Sequence, residues 1–269
     1  MLKKTTITAF CVGAGLLLSH AAVQAGTTTA AKEVTPPETA EEKVVSGTLS
    51  LMVNTHFISY GSDVWAAGTD WDDVLFNPSI ELTIDLGSGF NFIIGTWWDV
   101  NDNADSDIGG AIQEVDVWAG LSYTTGPLSF TLLYQEWMYA EQSERIVDFK
   151  IGYDTFLSPY ILVHGRVDNG LDADNGVVGV LGGSYDFEAG IVSFSIPASV
   201  AFATDGFHGG DGGFAYVSAG LTATVPLEFL PGDWSLTGGV TYYHTNSDVI
   251  PNNPDDDFVT GSIGLTLAF

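Results

Sequence analysis

The 269 residues set 34 Asp and Glu against 7 Lys and Arg, a net charge of −27, yet mean hydropathy is +0.21. So acidic a chain repels a phosphate backbone, which excludes a nucleic-acid binder. A chain both acidic and apolar on average must keep its charges apart from its apolar side chains, and the order of residues shows how.

Met1-Leu2-Lys3-Lys4 forms a positive start, Ile7 to Leu18 a short apolar core, and Val23 and Ala25 offer small residues for cleavage. Residues 1–25 therefore predict a secretory signal peptide, too short for a membrane span. The single cysteine, Cys11, lies inside it, so the exported chain, with Lys3 and Lys4 removed and a charge of −29, is expected to hold no disulfide. Residues 26–43, rich in Thr, Pro and Glu and without an aromatic residue, predict a flexible periplasmic leader. Nothing after the signal approaches the ~18 consecutive apolar residues of a membrane helix.

From residue 44 to 269 the chain alternates. The first run places Leu49, Leu51, Val53 and Phe57 on one face and Ser50, Met52, Asn54 and His56 on the other. The second sets Phe76, Ile80, Leu82, Ile84 and Leu86 against Asn77, Ser79, Glu81, Thr83 and Asp85. Similar runs follow around Phe90–Trp98, Glu114–Tyr123, Leu128–Tyr134 and Val147–Tyr153. Further strands are expected near 160–168, 176–187, 191–204, 214–225, 234–245 and 258–269, with Pro197 marking a bulge or a lost ladder bond. That makes twelve.

Short turns at 87–89, 125–126, 157–159 and 188–190, and a slightly longer one at 227–233, alternate with longer loops at 61–74, 101–112, 140–144, 169–175, 205–213 and 246–257. Short turns at one end, loops at the other and both termini on the turn side give the layout of a transmembrane antiparallel β-barrel of about twelve strands. A closed barrel leaves no edge unpaired in lipid. A soluble sandwich or lipocalin-like barrel would need a polar exterior, which these runs do not supply. Aromatic residues gather near strand ends: Phe57, Tyr60, Trp98 and Tyr134 on the loop side, Phe90, Tyr123, Tyr153 and Trp234 on the turn side. Two girdles are expected at the membrane interfaces. The terminal strand ends on Phe269 and has the look of an insertion signal for the barrel-assembly machinery. The expected location is the outer membrane of a Gram-negative bacterium, with both termini periplasmic.

The loops hold Asp63, Asp70, Asp72, Asp73, Asp102, Asp105, Asp107, Glu141, Glu144, Asp172, Asp174, Asp205, Asp211, Asp248, Asp255, Asp256 and Asp257 but no Lys or Arg. An acidic vestibule steers cations inward. It equally keeps the rim soluble or binds divalent ions that bridge lipopolysaccharide. Beyond the leader only Arg145, Lys150 and Arg166 are basic. A turn centred on Leu157-Ser158-Pro159 sets Lys150 opposite Arg166, Asp148 opposite Asp168 and Gly152 opposite His164, all on the lumen face. Flanked by Asp148, Asp154 and Asp168, that basic pair has the form of a constriction with a transverse field. The other reading is a salt-bridge network bracing a narrow lumen.

Catalytic signals are weak. No His precedes a Ser by two positions on an outward face, as a lipid-facing hydrolase site would require. His208 lies in a Gly-rich loop between Asp205 and Asp211, where rim proteolysis could be imagined but a lone histidine is expected to be simply solvated. Residues 102–110 carry carboxylates at metal-like spacing, yet Gly109 stands where a calcium loop needs a ligand. No cofactor and no metal site are expected.

The stretches "FISYG" (57–61), "FNPSIEL" (76–82), "GFNFIIGTWW" (89–98) and "EVDVWAGLSY" (114–123) resemble the TorF-type family of outer-membrane porins over about residues 48–155. Tyr60 stands where the family pattern has Arg. The resemblance implies passive transport across the outer membrane. The expectation is a channel for small solutes that prefers cations. Its alternative is a non-conducting structural or surface-binding barrel blocked by Trp97, Trp118, Trp137 and the charged network. Solute identity and oligomeric state are not encoded in any motif.

Overall fold

The computed structural model describes residues 44–65, 71, 73–169 and 175–269. The expected signal peptide and leader, and Asp70, Asp72, Asp172 and Asp174 of the acidic loops, lie outside the described residues. The strands are β1 (Val45–Asn54), β2 (Ile58–Ser59), β3 (Ser62–Asp63), β4 (Leu75–Gly87), β5 (Phe90–Val100), β6 (Ile112–Thr125), β7 (Leu128–Tyr139), β8 (Gln142–Tyr153), β9 (Tyr160–Asn169), β10 (Gly176–Ala189), β11 (Val192–Ala203), β12 (Gly213–Pro226), β13 (Asp233–Thr245) and β14 (Asp257–Ala268). All but β2 and β3 form one antiparallel closed barrel of twelve strands, with β1 joined to both β4 and β14.

Period-two patterning sets the faces. Phe76, Ile80, Phe90, Ile94, Trp98, Val117, Leu121, Leu132 and Ile263 are exposed on the outside, while Asn77, Ser79, Glu81, Glu114 and Asp116 are buried within. Apolar outside and polar inside is the reverse of a soluble barrel, whose wall packs its apolar face inward. The seam closes at Gly47 and Phe269, which exchange two backbone hydrogen bonds of 2.9 and 3.0 Å. A Cβ on Gly47 would lie 2.5 Å from the Phe269 ring, so only glycine lets that ring lie flat across the seam. Pro197 has the expected effect: the β11–β12 ladder skips Ile196 and Pro197.

Three expectations are corrected. The loop at 140–144 contracts to a two-residue turn between β7 and β8, with Ala140 at φ 63. The turn at 157–159 lengthens to residues 154–159. Asp154 donates its N–H to Pro127 O (2.7 Å) in the neighbouring turn rather than to β9, so the β8–β9 ladder starts at Gly152 opposite Tyr160. The first strand stops at Asn54, where its β4 partner begins at Leu75 and the wall on that side ends.

The chain between β1 and β4 then turns into the barrel. Phe57, Ile58 and Tyr60 are buried, not part of an outer girdle. β2 and β3 form a tight hairpin whose corner, Tyr60-Gly61, has positive φ at both positions (49 and 90), the geometry of a type I′ turn. Phe207 from the β11–β12 loop and Val249 and Ile250 from the β13–β14 loop join it. These residues pack on lumen-facing Trp137, Ile146, Leu162, Val178, Val180 and Tyr243 to make an apolar core inside the loop-side half of the barrel. The turn-side half is lined by short polar side chains paired across strands. Examples are Asn91 to Ser122 (3.3 Å) and Thr224 with Thr237 (2.9 Å).

Candidate functional site

The middle of the lumen is organised around His164, which is 0% exposed. Its Nδ1 lies 2.6 Å from Asp148 Oδ1 on the paired position of β8. Gln135 Nε2 donates to Asp148 Oδ2 (2.6 Å), and Trp137 Nε1 donates to Gln135 Oε1 (3.2 Å). Tyr60 packs tilted on the His164 ring with centroids 3.9 Å apart, and Trp137 stacks on it at 5.4 Å. The hairpin tip is thus seated on a buried Asp–His pair that fixes where the corner can rest. Asn253 clamps it from the opposite loop. Its Nδ2 donates to Gly61 O (2.8 Å) and its Oδ1 accepts from Asp63 N (2.9 Å).

The expected basic pair does not form. The longer turn slides the register, so Lys150 lies opposite Leu162 and Arg166 opposite Ile146. Lys150 rests over the Tyr160 ring at 4.5 Å. Arg166 donates to Glu144 (Nε–Oε2, 3.1 Å) and to Phe207 O (2.8 Å), and its guanidinium lies 4.2 Å from the Phe207 ring centroid. It ties the plug to the wall. A bulge at Arg145/Ile146 turns Asp168 out of the lumen, where Arg145 Nη1 bonds it at 2.5 Å. Asp154 sits exposed in the turn, away from the middle. Of the six candidates, Asp148, Lys150, His164 and Arg166 line the lumen. Asp154 and Asp168 do not.

The described vestibule acids, Asp73, Asp102, Asp105, Asp107, Asp255, Asp256 and Asp257, are exposed at the loop end. Two others expected there are internal. Asp63 is buried in the hairpin, where loss of water raises its carboxyl to about 6. Glu144 faces the lumen beside Arg166. His208 is not a free rim base: burial first, then electrostatic repulsion from Arg166 and His164, lower it to about 4.

Below the rim, on β5, β6 and β8, four lumen-facing carboxylates (Asp99, Glu114, Asp116 and Glu144) are all buried. Asp99 accepts from Trp65 Nε1 (2.7 Å), Asn101 Nδ2 (2.9 Å) and Asn77 Nδ2 (3.0 Å). Glu81 on β4 accepts from Trp118 Nε1 (2.9 Å). Sequence reasoning put Glu81, Glu114 and Asp116 on the correct face but took them for ordinary lumen polarity. The available signal was three acids at Asp99, Glu114 and Asp116 beside the tryptophans Trp97, Trp98 and Trp118. Phe269 lies at the outer seam against Gly47, at the turn-side end.

No family model matches the chain, and no curated protein matches it. Solved structures resemble it in fold. An outer-membrane channel of the COG4313 group from Pseudomonas putida F1 is 11% identical, with 88% of this chain and 100% of that chain covered and a TM-score of 0.49. The translocator domain of the autotransporter NalP from Neisseria meningitidis is 11% identical over 84% and 88%, with a TM-score of 0.43. An anion-selective porin from Comamonas acidovorans is 9% identical over 84% and 98%, with a TM-score of 0.34.

Proposed function

We propose that the chain is an outer-membrane channel for passive diffusion of small solutes, cation-preferring, and held closed here by its own hairpin plug. The apolar outer wall of strands 10 to 14 residues long suits a bilayer crossing. The observation that carries a channel role is the set of carboxylates turned inward beside the plug. A lumen serving only as packing volume is better filled by apolar side chains, since buried carboxylates without a cation are costly. With both termini on the turn side, this reading puts the turns in the periplasm and the acidic loops outside, against lipopolysaccharide. Phe269 is the residue the assembly machinery would read. The loose likeness of residues 48–155 to the TorF-type pattern agrees with this reading. No catalytic role is assigned to any residue.

The second reading, a non-conducting structural or surface-binding barrel, is favoured by one observation: the plug is not a loose flap but part of an apolar core inside the lumen. Planar-bilayer recordings separate the two. The mature protein should give small, infrequent steps. A variant with Ile58–Asp63 replaced by a short Gly-Ser link, checked for heat-modifiable folding, should give larger and longer ones. Folded protein silent in both forms would defeat the channel reading.

A further inference from the structure

Glu114 is 4% exposed and Asp116 is 9% exposed. They stand two residues apart on β6, so their buried side chains share the lumen face as near neighbours. Two neighbouring carboxyl groups can meet in this way only with a proton or a cation between them. Each also keeps one oxygen, Glu114 Oε1 and Asp116 Oδ1, buried with no hydrogen-bond partner. Asp99 and Glu144 face the same space, and Tyr139 closes it from β7. The guanidinium on this side, that of Arg166, is turned to Glu144 and to the Phe207 carbonyl. Asp99 is occupied by Trp65, Asn77 and Asn101. Among the described residues, the two orphan oxygens of Glu114 and Asp116 therefore have no hydrogen-bond donor assigned to them.

We infer that Glu114 and Asp116 form a binding site for a hard divalent cation of the calcium or magnesium class in the loop-side half of the lumen. Oxygen-only ligands select hard cations, and such ions are held by one or two carboxylates while keeping several waters. That suits this site, since among the described residues no three His, Cys, Asp or Glu side chains converge to hold a metal outright. The approach is provided by the loop that joins β5 to β6. Asp102, Asp105 and Asp107 are exposed in the β5–β6 loop directly above the strand ends that carry Asp99 and Glu114. The site deepens the channel reading by naming the ion class, but its occupancy does not depend on current flowing.

The test uses terbium, a calcium-like ion whose emission is sensitised by nearby tryptophan. Trp97 and Trp137 are the register partners of Asp116 on either side. The full mature protein, folded in detergent, is titrated with terbium and then with calcium. Saturable sensitised emission that calcium displaces is expected. Glu114→Gln with Asp116→Asn should weaken apparent affinity by at least about tenfold, and the single Asp116→Asn should act in the same direction. Asp102→Asn with Asp105→Asn and Asp107→Asn should leave the saturating signal in place. Folding of every variant is read from heat-modifiable mobility. Undiminished emission in the folded double variant, or its loss in the rim variant alone, overturns the site. Bilayer recordings run in parallel keep the two questions apart. Silent bilayers with calcium-displaceable emission defeat the channel and leave the site standing. Conduction with no such emission does the opposite.

Discussion

Gly61 is the residue on which closure turns. Its φ of 90 belongs to the left-handed region, and a Cβ there would fall 2.4 Å from Tyr216 Cδ1 on the barrel wall. Backbone and space thus both demand glycine. Its neighbour Tyr60 accepts a positive φ at a cost of about 1 kcal/mol, offset by its ring contact with His164. Gly61→Val adds a β-branched side chain where neither the conformation nor the wall admits one. The hairpin should unseat while the barrel, whose ladders do not include it, stays closed. We expect entry of a small hydrophilic dye into cells to rise by about tenfold, the equivalent of 1.4 kcal/mol, with Gly61→Ala giving a smaller rise. Unchanged entry in a folded Gly61→Val protein would show that the hairpin does not limit access.

At the scale of elements, an acid of the β2–β3 hairpin makes its seating sensitive to pH. Asp63 is raised from 3.8 to about 6, chiefly by burial, with the Trp65 backbone N–H pulling the other way. Seated, it binds a proton more readily than when released into water. Stabilisation of the seated hairpin is therefore greatest in acid and declines as pH rises between about 4 and 6. His56 Nε2, 3.9 Å from Asp63 Oδ2, softens this when protonated. Bilayer openings should be rarer at pH 4.5 than at pH 7, and Asp63→Asn should flatten the dependence. An opening frequency that climbs on acidification would count against Asp63 as its source. The barrel wall was legible in the sequence because one face meets apolar surroundings and the other does not, which imposes a period of two from Leu75 to Tyr153. The plug was not. Phe57 continues the alternation of β1 and Tyr60 falls on its other face, yet β4 offers no partner beyond Leu75 and both turn inward. A trace of the inner core was nevertheless present. Tyr160 to Val163 and Val177 to Leu181 are apolar or glycine on both faces, as a wall must be where it touches apolar groups on both sides. The constriction failed for a different reason. Register across one hairpin depends on turn length, and the turn at 154–159 is twice as long as the one expected.

For the whole molecule, the decisive quantity is where the charge lies along the solute path. Exposed acids crowd the loop end, and beneath them Glu81, Asp99, Glu114, Asp116, Glu144 and Asp148 face the lumen against Arg166 and Lys150. No opposed basic pair stands at mid-barrel, because Lys150 and Arg166 face Leu162 and Ile146. The rim and the interior thus carry the same sign. At 0.01 M salt the Debye length is ~30 Å, so the rim acts over the whole entrance; at 1 M it is ~3 Å, and only groups bordering the narrow path still act. Cation preference should therefore be strong at low salt and persist, reduced but not reversed, at high salt. Reversal potentials of the plug-replaced variant across a salt gradient measure both regimes. Neutralising Asp255, Asp256 and Asp257 should lower selectivity mainly at low salt, whereas Glu114→Gln with Asp116→Asn should lower it mainly at high salt. Anion preference in either regime, or equal sensitivity of both regimes to the rim variant, would mean that the interior acids do not border the path that ions take.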